Sequence, residues 1–314
     1  MPMSRGPCLV TGGLGFLGAH LVQALLARGG EVRVMDVVEP RPQQKRAWSR
    51  GGNIRFLKGD VRDPVVLEGG ARGVQTVFHL AAMQVAQCAR DPAAAIDFNV
   101  HGTYRVARAA AEAGARRMVF ASSATVYGRP DRLPVKEDDP LRPFSVYAAT
   151  KVSGEMFGRR EMEASGLSFT ALRFFNIYGP GQRVTPTVQP VVPAFVEKAL
   201  AGESPTIFGD GKATFDFVHV SDAAQALVAA GTRARVGPAY NVGTGTETSL
   251  SDLWRSVAHA AGRADLKPTR KKGPPSQRTR ADIGRARRDL CYRPRVPLEQ
   301  GLADVIRWHR SLRE

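Results

Sequence analysis

An α/β fold with a doubly wound parallel sheet and a smaller C-terminal α/β unit is what this 314-residue sequence predicts. Three observations carry the prediction. Apolar, β-rich runs alternate with helix-like stretches throughout the first half, the pattern of parallel strands joined by crossover helices. The first of these runs leads through a glycine-rich turn into a helix, the opening of a Rossmann-type domain. The chain also exceeds the usual size of one domain, and its second half has more Pro and Gly and less regular alternation. The predicted division gives residues 1–173 to the sheet domain, with 215–242 returning to it, and residues 174–214 and 243–314 to the smaller unit.

Taken in order, Cys8-Leu9-Val10 is the first strand, and His20 to Ala27 reads as a helix ended by Gly29-Gly30. Glu31 to Val38 is a β-rich run ending near Asp36, followed by strands at Ile54–Leu57, Thr76–Leu80 and Arg117–Ala121. Between the last two, Asn99 to Ala113 is helical and stops at Gly114. Pro180 to Pro193 reads as a loop because its prolines interrupt any helix. Pro193–Leu200 and Ser221–Ala230 read as helices, the second with Ser221 as N-cap. Lys267–Thr279 is a basic, proline-bearing loop, and Leu298–Arg310 a terminal helix.

Composition narrows the function classes. With 43% hydrophobic and 24% charged residues the chain can fill a core, so a disordered protein is excluded. No window approaches the ~18 consecutive apolar residues of a membrane span, and Met1–Pro7 shows no charged-then-apolar leader; the expected location is cytoplasmic. Cys8, Cys88 and Cys291 are widely spaced and odd in number, which fits reduced core or surface residues rather than a disulfide framework. No metal site is expected. The formal net charge is +16, with basic residues dense after Arg263. No aromatic interleaving or nucleic-acid motif accompanies them, so no nucleic-acid partner is expected. A solvated basic face and a pocket for an anionic substrate both remain open readings.

Thr11-Gly12-Gly13-Leu14-Gly15-Phe16-Leu17-Gly18 follows a strand and opens a helix, the context in which a glycine pattern signals dinucleotide binding. Gly12 allows the tight turn, Gly15 lets backbone approach a pyrophosphate, and Gly18 permits close helix–strand packing. Free N–H groups and the positive dipole end of the His20 helix then receive the phosphates, with Phe16 and Leu17 of the turn also at the cofactor. Asp36 stands where a ribose-binding carboxylate belongs, and no Arg follows it immediately, so NAD is predicted over NADP. Gly59-Asp60-Val61 closes the third strand and is placed to edge the adenine.

Ser122-Ser123-Ala124-Thr125-Val126-Tyr127-Gly128 follows the fifth strand, and Tyr147-Ala148-Ala149-Thr150-Lys151 lies downstream on a predicted helix. The i, i+4 spacing puts Tyr147 and Lys151 on one face. A phenol of pKa ~10 is a poor base at neutral pH. An adjacent ammonium and a positive nicotinamide would stabilise the phenolate. Ser123 is placed to orient a substrate hydroxyl and relay its proton.

With these motifs the chain resembles the extended short-chain dehydrogenases/reductases of the NAD-dependent epimerase/dehydratase family, and within it the UDP-galactose 4-epimerases. The resemblance spans nearly the whole length. It includes His79-Leu80-Ala81-Ala82, Asn99-Val100-His101-Gly102-Thr103, Arg173-Phe174-Phe175-Asn176-Ile177-Tyr178-Gly179-Pro180, Phe208-Gly209-Asp210-Gly211, Asp216-Phe217-Val218-His219-Val220-Ser221-Asp222 and Asn241-Val242-Gly243-Thr244-Gly245. It implies that Leu80, Ala81, Ala82, Asn99 and Ser122 belong to the cofactor site, that Phe175 lies near the nicotinamide, and that Asn176 contacts a sugar-nucleotide diphosphate. The smaller unit would then hold a nucleotide-diphosphate sugar, and the protein would be a homodimer.

The resemblance also separates reactions. The 4,6-dehydratases carry an Asp–Glu pair directly after the catalytic hydroxyl, and sugar-acid decarboxylases keep the Glu; Ala124 and Thr125 stand there instead. Neither can transfer an ionic proton, which points to 4-epimerisation through a transient 4-keto sugar, the substrate a UDP-hexose or derivative. The alternatives are another nucleotide-sugar modifier with an unusual carrier, or an NAD-binding sensor without catalysis. Two positions depart from the family at the nucleotide end. Phe215 replaces an Arg bound to the diphosphate, and Lys272-Gly273-Pro274-Pro275 replaces Arg-x-Gly-Asp, changes that remove a bidentate grip. Arg183, Lys271, Arg278 or Arg280 is placed to compensate. Thr125, Asn176, Arg183, Phe215, Lys272 and Arg278 are thus the candidate substrate contacts, and the small Thr279 leaves room at the sugar.

Overall fold

The computed structural model describes residues 6–49, 53–185, 189–233, 237–273 and 277–313. Seven parallel strands form its central sheet. In chain order these are β1 (Cys8–Thr11), β2 (Val32–Asp36), β3 (Ile54–Lys58), β4 (Thr76–His79), β5 (Arg117–Ser123), β6 (Ser168–Phe174) and a returning strand, Ala239–Val242. Across the sheet the order is returning strand-β6-β5-β4-β1-β2-β3. The winding reverses between β1 and β4, whose register pairs Thr11 with His79 at their C-terminal ends. Open parallel sheets bind ligands in the crevice at that switch point.

The central strands are short apolar runs because both their faces are covered: Leu9, Val10, Val77 and Phe78 are each buried. On one face the helices Phe16–Leu26 and Val220–Thr232 pack over Leu21, Leu25, Phe78 and Leu227. On the other, Pro64–Ala71, Gly102–Glu112 and Val146–Ser165 close over Met35, Val106, Phe120 and Phe169.

Several boundaries differ from the sequence reading, each for a local reason. The first helix starts at Phe16 rather than His20, because Gly15 is already an extended N-cap. The helix expected from Asn99 is a π-turn over Ile96–His101 followed by an α-helix over Gly102–Glu112. There the Thr103 hydroxyl donates to the Asn99 carbonyl at 2.6 Å, offering a side-chain partner inside the helical ladder. The loop expected up to Pro193 ends at Val191, where a helix runs to Ala201. Pro193 is tolerated in its first turn, where no N–H has an intrahelical acceptor. His219, not Ser221, caps the helix Val220–Thr232, its ring accepting from the Ser221 N–H. Within the basic loop, Thr269–Lys271 forms a short strand parallel to Thr206–Phe208.

The smaller cluster gathers Phe195, Leu253, Trp254, Leu302 and Ile306 from the helices Val191–Ala201, Leu250–Ala260 and Leu298–Arg310. Phe195 and Trp254 meet edge to face at 5.6 Å. Ala281, Ile283, Ala286, Leu290 and Tyr292, grouped with the smaller unit in the sequence reading, pack instead into the core of the sheet. Asp216 ties the two regions together. Its fully buried carboxylate accepts from the Thr244, Gly245 and Ala281 N–H groups, while its carbonyl accepts from the Asn176 N–H at 3.0 Å. Among the described residues no helix is long and apolar enough to cross a membrane.

Candidate active site

The glycine turn is built for a ligand lying against backbone. Gly12 has φ +69°, and a Cβ there would come 2.6 Å from the Ala81 nitrogen, so only glycine fits. A Cβ on Gly18 would come 2.2 Å from the Gly12 carbonyl oxygen; turn and helix therefore touch backbone to backbone. The first-turn N–H groups, with Phe16 and Leu17 among them, have no intrahelical acceptors, and the positive end of the helix dipole lies there. Asp36 closes β2, its Oδ2 accepting from the Leu14 N–H at 3.0 Å. Lone pairs remain on both of its oxygens for a diol. Between these groups lies a cleft of about 250 Å³ walled by Gly12, Gly15, Asp36, Val61, Leu80, Ala81 and Ala82.

Asp60 is placed differently from expectation. Its carboxylate accepts from Arg62 Nε (3.0 Å) and Nη2 (2.7 Å), and Arg62 also pairs with Asp97 at 2.5 Å. The hydrogen-bonded guanidinium holds the Asp60 carboxyl below the usual range. Val61 lines the cleft, whereas Asp60 serves a clamp that lays Arg62 over the Phe98 ring at 5.4 Å.

A directed chain of hydrogen bonds runs beneath the cleft. The Ala81 N–H meets Thr11 Oγ1 (3.4 Å), Thr11 meets His79 Nδ1 (2.7 Å), His79 Nε2 meets Thr103 Oγ1 (2.9 Å), and Thr103 donates to the Asn99 carbonyl. Because Thr103 spends its proton on Asn99, its oxygen accepts from His79, which fixes the Nε2–H tautomer. Burial, then the nearby Lys151 charge, drive the His79 pKa down to about 3, so the ring stays neutral. The Asn99 side chain accepts from the Met83 N–H (2.7 Å) and donates to the Met83 carbonyl (3.1 Å) and to Thr150 Oγ1 (3.1 Å). Asn99 thus braces the Ala81–Met83 wall against the helix that carries Tyr147.

Ser123 ends β5, while Tyr147 and Lys151 lie on the helix Val146–Ser165, capped by Ser145. Lys151 is buried, donates to the Ala121 carbonyl at 2.8 Å, and sits 5.5 Å from the Tyr147 ring centre. Burial brings its pKa down to about 8, with Cys88 pulling the other way. The expected depression of the phenol is not present without cofactor. Burial, then Cys88, push Tyr147 up to about 12, and the hydrogen bond to Ser123 only partly opposes them. Ser123 Oγ accepts from both the Thr125 N–H (3.2 Å) and the Thr125 hydroxyl (2.9 Å). Both lone pairs are then occupied, so the Ser123 proton is the one free to be donated to the phenol oxygen. A titration of phenol absorbance in apoprotein, with Tyr147→Phe as reference, should find Tyr147 protonated past pH 10. Adding NAD should move its midpoint down by at least one unit, since a positive ring favours phenolate; an unmoved midpoint would refute this electrostatic account.

The remaining candidates are spread more widely. Ser122, expected at the cofactor, turns its hydroxyl inward to Glu155 Oε1 at 2.7 Å. Phe175 is buried in the core of the sheet. Asn176 is exposed at the start of the strand Asn176–Tyr178, its Nδ2 near the Asp216 carbonyl. The Phe215 ring packs toward Phe217 at 6.1 Å, on the smaller cluster. Arg183 stacks on Trp308 at 5.8 Å. Lys272 is exposed beyond the strand Thr269–Lys271, and Pro274 and Pro275 lie outside the described residues. Arg278, taken as an anion contact, makes a two-pronged pair with Glu247 (2.9 and 2.8 Å) that holds the Glu247 carboxyl down at about 2. Its charge is already matched.

The sequence matches the NAD dependent epimerase/dehydratase family over residues 8–243. The chain belongs to that family. It is 38% identical to a UDP-glucose 4-epimerase of Mycolicibacterium smegmatis, across 96% of this chain and 98% of the relative. It is 32% identical to a dTDP-glucose 4,6-dehydratase of Streptomyces griseus, across 97% and 94%. The crystal structure of a UDP-glucose 4-epimerase with UDP-glucose from Thermotoga maritima superposes with a TM-score of 0.90 at 30% identity, covering 98% of this chain and all of the other. As a member of the epimerase/dehydratase family the chain is an NAD-dependent enzyme of the isomerase type, and the glycine cradle, Asp36 and the cleft between them fit that cofactor. The bracing residues Thr11, His79, Thr103 and Thr150 were missed in the sequence. The signal was that all four fall inside the quoted motifs; what those motifs do not show is the pairing, which for His79 and Thr103 spans 24 residues.

Proposed function

We propose that this enzyme is a nucleotide-sugar 4-epimerase acting on a UDP-hexose or a derivative of one. The observation that carries the reading is what surrounds Ser123. Ala124 and Thr125 follow it, the Thr125 hydroxyl is committed to Ser123 at 2.9 Å, and no carboxylate among the described residues bonds to either. The cluster therefore offers one acid–base group for a substrate oxygen, Tyr147. That suffices to take a proton from a carbinol and return it. Eliminating water needs a second acid–base group.

Bound NAD supplies the couple that accepts and gives back the C4 hydride. Tyr147, as phenolate, removes the proton of the sugar 4-hydroxyl and returns it after the 4-keto sugar has presented its other face. Lys151, anchored on Ala121, keeps a positive charge beside the ring. Ser123, whose lone pairs are filled by Thr125, orients by donating its proton and leaves the substrate proton to pass directly to Tyr147. The glycine turn, Asp36 and the wall Leu80–Ala82 hold the cofactor, while Asn176 and the smaller unit face the nucleotide.

Incubation of the NAD-loaded protein with UDP-glucose, UDP-N-acetylglucosamine and UDP-glucuronic acid, followed by proton NMR at C4, tests the reading. Interconversion with the C4 epimer and no net NADH is expected for at least one of them. A 4-keto-6-deoxy product, loss of carbon dioxide or stoichiometric NADH would place the enzyme in another branch of the family.

A further inference from the structure

A cleft of about 470 Å³ opens between the loop Gly128–Leu133 and the segment Gln277–Arg280. Four arginines line it: Arg129, Arg132, Arg278 and Arg280. Their charges are not equally engaged. Arg132 is paired with Asp139 (2.7 Å), Arg278 with Glu247, and the lining Asp131 with Arg142 (2.8 Å). Arg129 and Arg280 form no ion pair among the described residues, Arg280 only adding its field to that of Arg278 at Glu247, and Arg280 Nε and Thr279 Oγ1 are buried with no hydrogen-bond partner. Orphaned buried donors cost about 1–3 kcal/mol each, so this wall is built at a loss that an incoming acceptor would offset.

The position says which end of a substrate meets it. One wall begins at Gly128, five residues after Ser123, across a single 3₁₀ turn, Ala124–Tyr127. The other is held to the substrate side by Asp216, which accepts from the Ala281 N–H and from the Asn176 N–H, and by Thr279 N–H to the Thr214 carbonyl. Lys272, by contrast, lies by the strands Thr206–Phe208 and Thr269–Lys271. Both walls are thus tied to the elements that carry Ser123 and Asn176.

Resting on the epimerase reading above, we infer that this cleft selects a nucleotide sugar whose hexose carries a carboxylate, received by Arg129 and Arg280 with the Thr279 hydroxyl. Guanidinium groups match a carboxylate in geometry and charge, and a neutral hydroxymethyl group would leave both unpaired.

The test compares UDP-glucuronic acid with UDP-glucose in the wild type, Arg129→Ala and Arg280→Gln, by kcat/KM and by calorimetric Kd of the NAD-loaded protein. The wild type should favour the acid at least tenfold by both measures, and each variant should cut that ratio at least fivefold. Arg129 is exposed, so its replacement leaves the fold intact even where Arg280→Gln does not. Equal or better handling of the neutral sugar by the wild type, or an unmoved ratio in Arg129→Ala, would overturn the inference. Should neither sugar be epimerised, the activity reading fails, and the Kd ratio alone still judges the cleft.

Discussion

Replacing Tyr147 by Phe should lower kcat at least a hundredfold while NAD remains bound. The substitution removes one oxygen and keeps the ring. Apart from the Ser123 hydrogen bond, the contacts that seat this residue do not use the hydroxyl: Thr150 donates to the Tyr147 backbone carbonyl at 2.8 Å, and Lys151 faces the ring and the Ala121 carbonyl. Asn99 continues to brace the helix through Thr150. What disappears is the proton acceptor, and positioned general acid–base groups contribute about 10²–10⁴ in rate. No neighbour replaces it. His79 is buried and neutral, and Ser123 has its lone pairs taken by Thr125. The loss should therefore appear in kcat and kcat/KM together, with KM little changed, as for a group that acts in the transition state. C4 NMR rates and the NAD released on denaturing the variant give the two readouts. A kcat within threefold of wild type, with NAD retained, would remove Tyr147 from the chemistry.

The contrast between legible and hidden residues follows from distance along the chain. The glycine turn, Asp36 and the Tyr147–Lys151 pair are local patterns whose spacing carries their geometry. A Cβ clash at Gly18 and an i, i+4 helical face need no knowledge of what lies elsewhere. Five of the seven strands were legible for the same reason, each a short apolar run between breakers, whereas Ser168–Phe174 and Ala239–Val242 were not read as strands. Hidden were the pairings set by the fold. Arg278 reads as a free cation until Glu247, 31 residues earlier, is seen beside it. Asp60 reads as an adenine contact until Arg62 bridges it to Asp97. Ser122 reads as a site hydroxyl, yet alternation along β5 turns it to the opposite side from Ser123. The π-turn at Asn99 depends on a threonine hydroxyl entering the helical ladder, a competition that periodicity does not record.

Ser122 points to the second large expected effect. Its partner Glu155 lies one turn beyond Lys151 on the same helix and forms a two-pronged pair with Arg173 of β6, at 2.9 and 2.7 Å. Both side chains are 2% exposed. Arg173 also donates to the Tyr127 hydroxyl and the Glu137 carbonyl, each at 2.8 Å, and Tyr127 passes its proton to Asn241 of the returning strand at 2.6 Å. One guanidinium therefore fastens the catalytic helix, the turn after Ser123 and the sheet edge. Glu155→Gln keeps the shape but strands the Arg173 charge in the interior. Removing one partner of such a buried pair costs about 3–5 kcal/mol, and for a chain of this size each kcal/mol moves Tm by roughly 2 °C. A fall of about 6–10 °C is expected in thermal unfolding at saturating NAD. Glu155→Leu combined with Arg173→Met removes both charges and should recover part of that loss. The recovery would be incomplete, because Ser122, Tyr127 and the Glu137 carbonyl lose their partners. A Glu155→Gln protein that melts within 2 °C of wild type, or a double variant whose loss equals the sum of its two single variants, would show that the pair does not fasten these elements together.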